Sequence, residues 1–380
     1  MKKYKFRDYR FRLIIYLICL CTIGILAIGS AKESVQDKQI IGFILGLVVM
    51  FIVSRIDYQF ILKFRRPIYL LIILSLALVL SPIGKDSGGA TRWIEIGGFQ
   101  FQPSELCKIM LIVYFAAFFM KYQDTLNTFK MIVISLVLLG IPLLLILVEP
   151  DLSTSIIIVL VFVAMIFVAG ISYKIVAVCL AIGVPAAAVS LVLMFQEKFP
   201  FLQPYQYVRI LAWRYPDEYT DSSRQQQNSI IAIGSGQLWG KGLNNSSITS
   251  LKNGNYLSEP QTDFIFTIIG EELGFVGCMI VIILFLLIVF ECILIAKNAQ
   301  DLGGRLICTG MASLVGFQAF VNIGVTTGLL PNTGLPLPFV SYGLTSLVSL
   351  FIGMGIVLNV GLQGRKYGSS PLSVDREDPL

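Results

Sequence analysis

Acidic residues at the edges of apolar runs are the first candidates for chemistry in this 380-residue chain. It contains no histidine, which excludes Ser-His-Asp triads, imidazole metal sites and histidine proton relays. Proton transfer must then fall to Asp, Glu, Lys, Tyr or Cys. Asp263 has the most informative setting, Ser258-Glu259-Pro260-Gln261-Thr262-Asp263-Phe264-Ile265-Phe266, where a polar stretch turns into an apolar one. A carboxylate there can cap a helix or serve as a general base at the mouth of a cavity. Glu105 and Lys108 fall three residues apart inside an apolar run. Each charge alone costs about 2.5–3.5 kcal/mol at the centre of a membrane helix, and the i,i+3 spacing lets the two pair. They read equally as a cavity-lining site or as a structural ion pair. Glu149-Pro150-Asp151-Leu152-Ser153-Thr154 reads as a tight turn with Asp151 as helix cap.

Basic residues supply a second signal. Arg92, Lys198, Arg209, Arg214, Arg224, Lys241 and Lys252 are interleaved with Trp93, Phe199, Phe201, Tyr205, Tyr207, Trp213, Tyr215 and Tyr219. Arginine matches phosphate with two parallel donors, so the mixture suits an anionic ligand with an apolar or sugar part, such as a lipid-linked phosphate. Composition alone favours a plainer reading, an aromatic belt with head-group contacts. Residues 234–242 are glycine-rich and include Lys241, but lack phosphate-loop spacing, so no nucleotide site is expected. The seven cysteines all sit in apolar stretches without a CxxC pair; neither a disulfide framework nor a thiolate metal site is expected.

The elements that must position these residues are membrane helices. The chain is 56% hydrophobic and 14% charged, against about 45–50% and about 25% for a soluble domain. That excludes a soluble enzyme and a disordered chain. Ten stretches approach the roughly 20 apolar residues that span a bilayer as helix: 13–31, 39–55, 67–83, 104–120, 131–148, 153–170, 174–195, 275–296, 304–329 and 338–362. The expected fold is an all-α integral membrane protein, with a large extracytoplasmic loop (196–263) before helix eight. Residues 1–366 form one polytopic domain and 367–380 a disordered cytoplasmic tail. Most of the 29 Lys and Arg residues fall at the N-terminus, around 55–66, and in later segments on the same side. The positive-inside rule then puts both termini in the cytoplasm. The net charge of +6 fits this anchoring better than nucleic-acid binding. The first apolar run resembles a signal peptide, but nine further spans favour an uncleaved helix.

Three outward segments are more than connections. Alternation around Gly97-Gly98 in 84–103 predicts a hairpin. The 196–263 stretch is too aromatic for simple disorder. Pro331-Asn332-Thr333-Gly334-Leu335-Pro336-Leu337-Pro338 predicts a stiff linker. Residues 264–296 exceed one span, so 264–273 is expected to form extra helical turns at the outer membrane surface.

Several motifs in a fixed order resemble the SEDS family (shape, elongation, division and sporulation), the RodA/FtsW-like peptidoglycan polymerases. They are Gly89-Ala90-Thr91-Arg92-Trp93-Ile94, Gln102-Pro103-Ser104-Glu105-Leu106-Cys107-Lys108, Glu149-Pro150-Asp151-Leu152, Gln226-Gln227-Asn228-Ser229, Lys241-Gly242-Leu243, Thr262-Asp263-Phe264-Ile265-Phe266 and Pro338-Phe339-Val340-Ser341-Tyr342-Gly343. The resemblance covers about residues 10–366. It implies a glycosyltransferase that polymerises lipid II outside the cytoplasmic membrane, beside a class B penicillin-binding protein that supplies transpeptidation. It implies Asp263 as the catalytic residue, and Arg92, Trp93, Glu105 and Lys108 as functionally sensitive. Ser341 joins these as a substrate-binding candidate, and Arg209 and Lys241 are candidates to neutralise the leaving diphosphate. No protein-held metal is expected, with a divalent cation as the alternative to those two. Three glycines usual in the family are replaced here, by Ser153, Gln237 and Leu344. Two readings compete, a flippase for the lipid-linked precursor and a non-catalytic scaffold; the absence of an inverted repeat counts against the first.

Overall fold

The computed structural model describes residues 9–82, 84–87, 90–96, 99–196, 204–243 and 259–364. The tail expected at 367–380 lies outside them. Each of the ten apolar stretches is occupied by a helix. In chain order these are α1 (Phe11–Ala31), α2 (Gln36–Val53), then, after the short α3 (Tyr58–Lys63), α4 (Arg65–Val79), α5 (Pro103–Lys121), α6 (Phe129–Val148), α7 (Leu152–Val168) and α8 (Tyr173–Phe195). Two helices inside the predicted loop follow, α9 (Pro204–Arg214) and α10 (Thr220–Ser235), and then α11 (Ile265–Lys297), α12 (Leu302–Thr326) and α13 (Leu344–Leu362). Among the described residues, seven helices are long and apolar enough to cross a membrane. The helices α4 and α7 fall short, at 15 and 17 residues.

Burial sorts these helices into centre and periphery. α5 is buried along nearly its whole length and packs against α12, α13 and α7. Peripheral helices expose apolar side chains instead, Leu70 and Leu74 on α4, Leu136 and Leu144 on α6. This is the pattern where hydrocarbon, rather than water, is the surrounding solvent. The hairpin expected in 84–103 is present, with Ile96 opposite Phe99. A third antiparallel strand joins it: β1 (Gly84–Ser87) pairs with β2 (Ala90–Ile96), which pairs with β3 (Phe99–Phe101). The predicted 196–263 loop is partly helical. Gln226 on α10 donates to Val325 O and Leu330 O, both at 2.7 Å, and Ser229 donates to Thr326 O at 2.7 Å. These two residues fasten the loop onto the end of α12.

The segment 264–273 is helical as expected, but not at the surface. Ile265 through Glu272 are buried. At Gly274 the helix breaks, with φ +66° and ψ −164°. Such a break strands carbonyls before it and N–H groups after it. Residues 237–242 satisfy both sets. Lys241 N and Gly242 N donate to Glu271 O and Glu272 O at 3.0 Å each, while Phe275 N and Val276 N donate to Gln237 O and Leu238 O at 2.8 and 3.2 Å. Side chains add to the seam: Lys241 Nζ lies 2.8 Å from Glu271 Oε1, and Ser30 on α1 donates to Glu272.

At the opposite end of the bundle, polar side chains interlock. Asn359 bridges Tyr58 N and Ser54 O at 2.9 and 2.8 Å, Gln363 reaches Asp57 at 2.9 Å, and Gln59 reaches Asp301 at 2.9 Å.

A Cβ on residue 274 would come within 2.3 Å of Gly240 N and 2.7 Å of Leu238 O. Gly274→Ala therefore adds a clash to the penalty of a backbone conformation that is essentially confined to glycine, about 1–3 kcal/mol. Thermal unfolding in detergent should show a loss of at least about 2 kcal/mol. Gly140→Ala in α6, where nothing lies within 4 Å, should be neutral or stabilising by up to about 1 kcal/mol.

Candidate active site

An opening sits at the end of the bundle that carries α9 and the 331–334 linker. It is a cavity of about 410 Å³. Its lining is mostly apolar and includes Leu152 and Ile156 of α7, Met194 and Phe195 of α8, and Ile210 of α9. Arg92, Ser153, Gln206, Arg209, Asn332 and Thr333 also line it. Trp213 closes part of the rim and donates its indole N–H to Gly328 O at 2.9 Å.

Each charged group is held by a definable element. Arg92 projects from β2 and donates Nε to Glu149 O at 3.0 Å and Nη2 to Pro150 O. It thus takes up carbonyls at the α6 C-terminus, where a cation is favoured. Asp151 caps α7 as the sequence suggested, accepting from Thr154 N at 3.1 Å and Thr154 Oγ1 at 2.9 Å. Between them the Glu149 carboxylate is buried, and neither of its oxygens has a hydrogen-bond partner among the described residues. Burial, reinforced by Asp151 and opposed by Arg92, pushes its pKa to about 8, so it is largely protonated at neutral pH.

Asp263 lies just before α11. The capping alternative does not hold: the cap position is Phe264, and no side chain caps the helix. Its carboxylate makes no hydrogen bond among the described residues. Its backbone, by contrast, is fixed. Asn322 on α12 donates to Asp263 O at 2.8 Å, and Ser341 donates to Thr262 O at 2.6 Å. Gly334, at φ +73°, separates Asp263 from Arg209. A Cβ there would come 3.4 Å from Asp263 Oδ2 and 3.7 Å from Arg209 Nη1. Burial raises the Asp263 pKa to about 6; Arg209 and Arg92 hold it down, while Asp151 and Glu259 add to the rise. A carboxylate ionised at neutral pH yet more basic than a free one suits proton abstraction.

The structure brings Asp263, Arg92 and Arg209 together. It places the other sequence candidates elsewhere. Glu105 and Lys108 form a buried ion pair at 2.8 Å. Lys108 also donates to Gln318 Oε1 at 3.3 Å, and Gln318 donates onward to Pro336 O at 2.9 Å. The pair thereby ties α5 to α12 and to the linker behind the site. Lys241 faces Glu271 in the seam and does not line the cavity. Ser341 is buried, receiving Leu337 N at 2.7 Å and donating to Thr262 O, so it fixes backbone near Asp263. Trp93 is half-buried beside Arg92 and does not line the cavity. Sequence reasoning passed over Gln318 and Asn322. Their signal was two amide side chains four residues apart within an apolar span, a pattern that is costly unless partnered.

If Glu105 and Lys108 are a structural pair, Lys108→Met alone should cost about 3–5 kcal/mol by stranding a buried carboxylate. Glu105→Gln with Lys108→Met should recover most of it, read by thermal unfolding in detergent.

Comparison with known proteins gives a consistent picture. Residues 11–366 match the FtsW/RodA/SpoVE family, described as cell cycle proteins. A probable peptidoglycan glycosyltransferase FtsW of Geobacter sulfurreducens is 37% identical, covering 92% of this chain and 95% of its own. The peptidoglycan glycosyltransferase MrdB of Escherichia coli is 33% identical, covering 92% of each. A chain from a peptidoglycan synthase complex, solved in a study of coordinated polymerization and crosslinking, superposes with a TM-score of 0.75 at 28% identity, over 93% of this chain and 97% of that one.

Proposed function

The chain belongs to the FtsW/RodA/SpoVE family, and from that premise we propose that it is a multi-pass membrane glycosyltransferase that polymerises lipid II into glycan strands. The observation that carries this reading is the placement of Asp263, not hydrogen-bonded among the described residues and across one glycine from Arg209, beside a cavity lined by apolar residues together with Arg92 and Arg209. The apolar lining suits the polyprenyl chain. Arg92 and Arg209 suit the diphosphate. Asp263 takes the proton from the acceptor sugar hydroxyl as that oxygen attacks the anomeric carbon of the donor. The C–O bond to the diphosphate breaks, and its electron pair leaves with the lipid diphosphate.

Among the described residues no group of three or more Asp, Glu or Cys side chains is arranged to hold a metal ion. A divalent cation at this site would ride on the diphosphate itself, and we assign the neutralising charge to the two arginines. Both termini are assigned to the cytoplasm on the positive-inside pattern, which puts the cavity on the outer face. A class B penicillin-binding protein is the assigned partner, since the superposed chain comes from a synthase complex that both polymerises and crosslinks. The interlocked polar side chains at the opposite end favour this reading over a flippase, because the cavity residues all gather at one end.

In proteoliposomes supplied with lipid II, Asp263→Ala should fold normally and lose polymerisation by about 10²–10⁴-fold, the usual contribution of a positioned base. Unchanged polymerisation would remove Asp263 from the mechanism. No polymerisation by the wild type, folded and with its partner present, would turn the assignment to flippase or scaffold. The active form of Asp263 is ionised, so wild-type kcat/KM should be flat above its pKa of about 6 and fall about tenfold per pH unit below it.

A further inference from the structure

We propose that Asn322 is the positioning residue for Asp263, an inference that rests on the polymerase reading above. Asn322 sits on α12, is buried and does not line the cavity. Its side-chain nitrogen donates to two backbone carbonyls, Asp263 O at 2.8 Å and Leu335 O at 2.7 Å. The first belongs to the residue that carries the base. The second belongs to the residue after Gly334, and a Cβ at Gly334 would lie 3.4 Å from Asp263 Oδ2 and 3.7 Å from Arg209 Nη1. One amide nitrogen thus sets how far the base stands from the linker that passes between it and Arg209.

Two features separate this from ordinary fastening. An amide NH2 has two hydrogens to give, and here each has its own carbonyl. A flipped amide would turn its oxygen on two carbonyl oxygens, so the orientation is locked. The second feature is that the flanking chain is anchored without Asn322. Gln261 O accepts from Tyr342 N at 2.9 Å, and Thr262 O from Ser341 at 2.6 Å. On the linker, Thr333 O accepts from Ser153 at 2.5 Å, and Pro336 O from Gln318 at 2.9 Å. Both segments keep these ties when the Asn322 amide is removed. What is lost is the spacing between them.

That spacing acts on the chemical step. Asp263 has to meet the acceptor hydroxyl while Arg209 faces the diphosphate, and a misplacement of about 1 Å in such a constellation costs about 10²-fold. The residues assigned to holding the substrate line the cavity, and Asn322 is not among them. Its removal therefore lowers kcat and leaves KM nearly unchanged, the mark of an interaction that matters in the transition state alone.

The test measures kcat and KM for lipid II in proteoliposomes, for wild type, Asn322→Leu, Asn322→Ser, Asp263→Ala and Asp263→Ala with Asn322→Leu. Leucine has no donor, and serine is too short to span both carbonyls. Either variant should lose about 10–100-fold in kcat, with KM within about threefold of wild type. A residue that acts through Asp263 has nothing to position once the carboxylate is gone. The double variant should therefore match Asp263→Ala within about threefold, where independent effects would multiply. Tyr69→Phe removes a hydrogen bond to Leu138 O at 2.9 Å between α4 and α6; it controls for lost stability and should keep the wild-type kcat. An unchanged kcat in folded Asn322→Leu and Asn322→Ser, a loss confined to KM, multiplying losses in the double variant, or failure of both Asn322 variants to fold overturns the proposal and leaves the polymerase reading intact. A folded wild type that polymerises nothing overturns both.

Discussion

A helix that stops inside an apolar bundle leaves backbone groups that nothing in hydrocarbon can satisfy, each costing several kcal/mol. In this protein α11 stops at Gly274, and the answer is supplied by residues 237–242, which give two N–H groups and two carbonyls to the two sides of the break. The rest of the site follows from that seam. The break lets Ile265 through Glu272 run inside the bundle as a separate buried piece, with Asp263 at its head. The seam anchors the end of α10, whose Gln226 and Ser229 hold the end of α12. From α12, Gln318 and Asn322 reach the linker and the Asp263 carbonyl. One backbone interruption thereby aligns three elements around a single carboxylate.

Most of the buried charge in the described residues is spent on structure. Glu105 with Lys108, Glu271 with Lys241, and Asp151 at its cap are all paired within the protein. Pairing lowers the penalty of burying them and fixes their rotamers. Asp263 is not hydrogen-bonded among the described residues and lies across Gly334 from Arg209. That contrast supports the role proposed for Asp263, since a positioned base needs an open lone pair. Glu149 is a third kind, a buried carboxyl pushed towards its neutral form, which spares the site another negative charge close to where a diphosphate would bind.

Much of this was legible in the sequence. The ten apolar stretches mark helices because the bilayer demands about 20 apolar residues in helical form, and alternation around Gly97-Gly98 gave away the β2–β3 hairpin. Asp263 stood out because it sits where polar chain meets apolar helix. The position of 264–273 was misread, since an apolar run looks the same whether it faces lipid, protein or the membrane surface. Lys241 and Ser341 were read as ligand groups because a sequence shows charges and hydroxyls but not their partners, Glu271 and Thr262 lying 30 and 79 residues away. Nothing marked Gly274 among 33 glycines as the one that must break a helix. Gln237, standing where the family usually has glycine, takes a φ of +49° within the seam, a strain that no local pattern announces.

The central claim is geometric: one cavity holds the diphosphate and the acceptor hydroxyl together, with Asp263 facing the latter. An experimental structure of the wild-type protein with its lipid-linked substrate bound tests this most directly. The account predicts the diphosphate between Arg92 and Arg209 and the acceptor hydroxyl within hydrogen-bond reach of the Asp263 carboxylate. Substrate seated elsewhere in the bundle, or an Asp263 carboxylate turned away into protein contacts with substrate present, would contradict it.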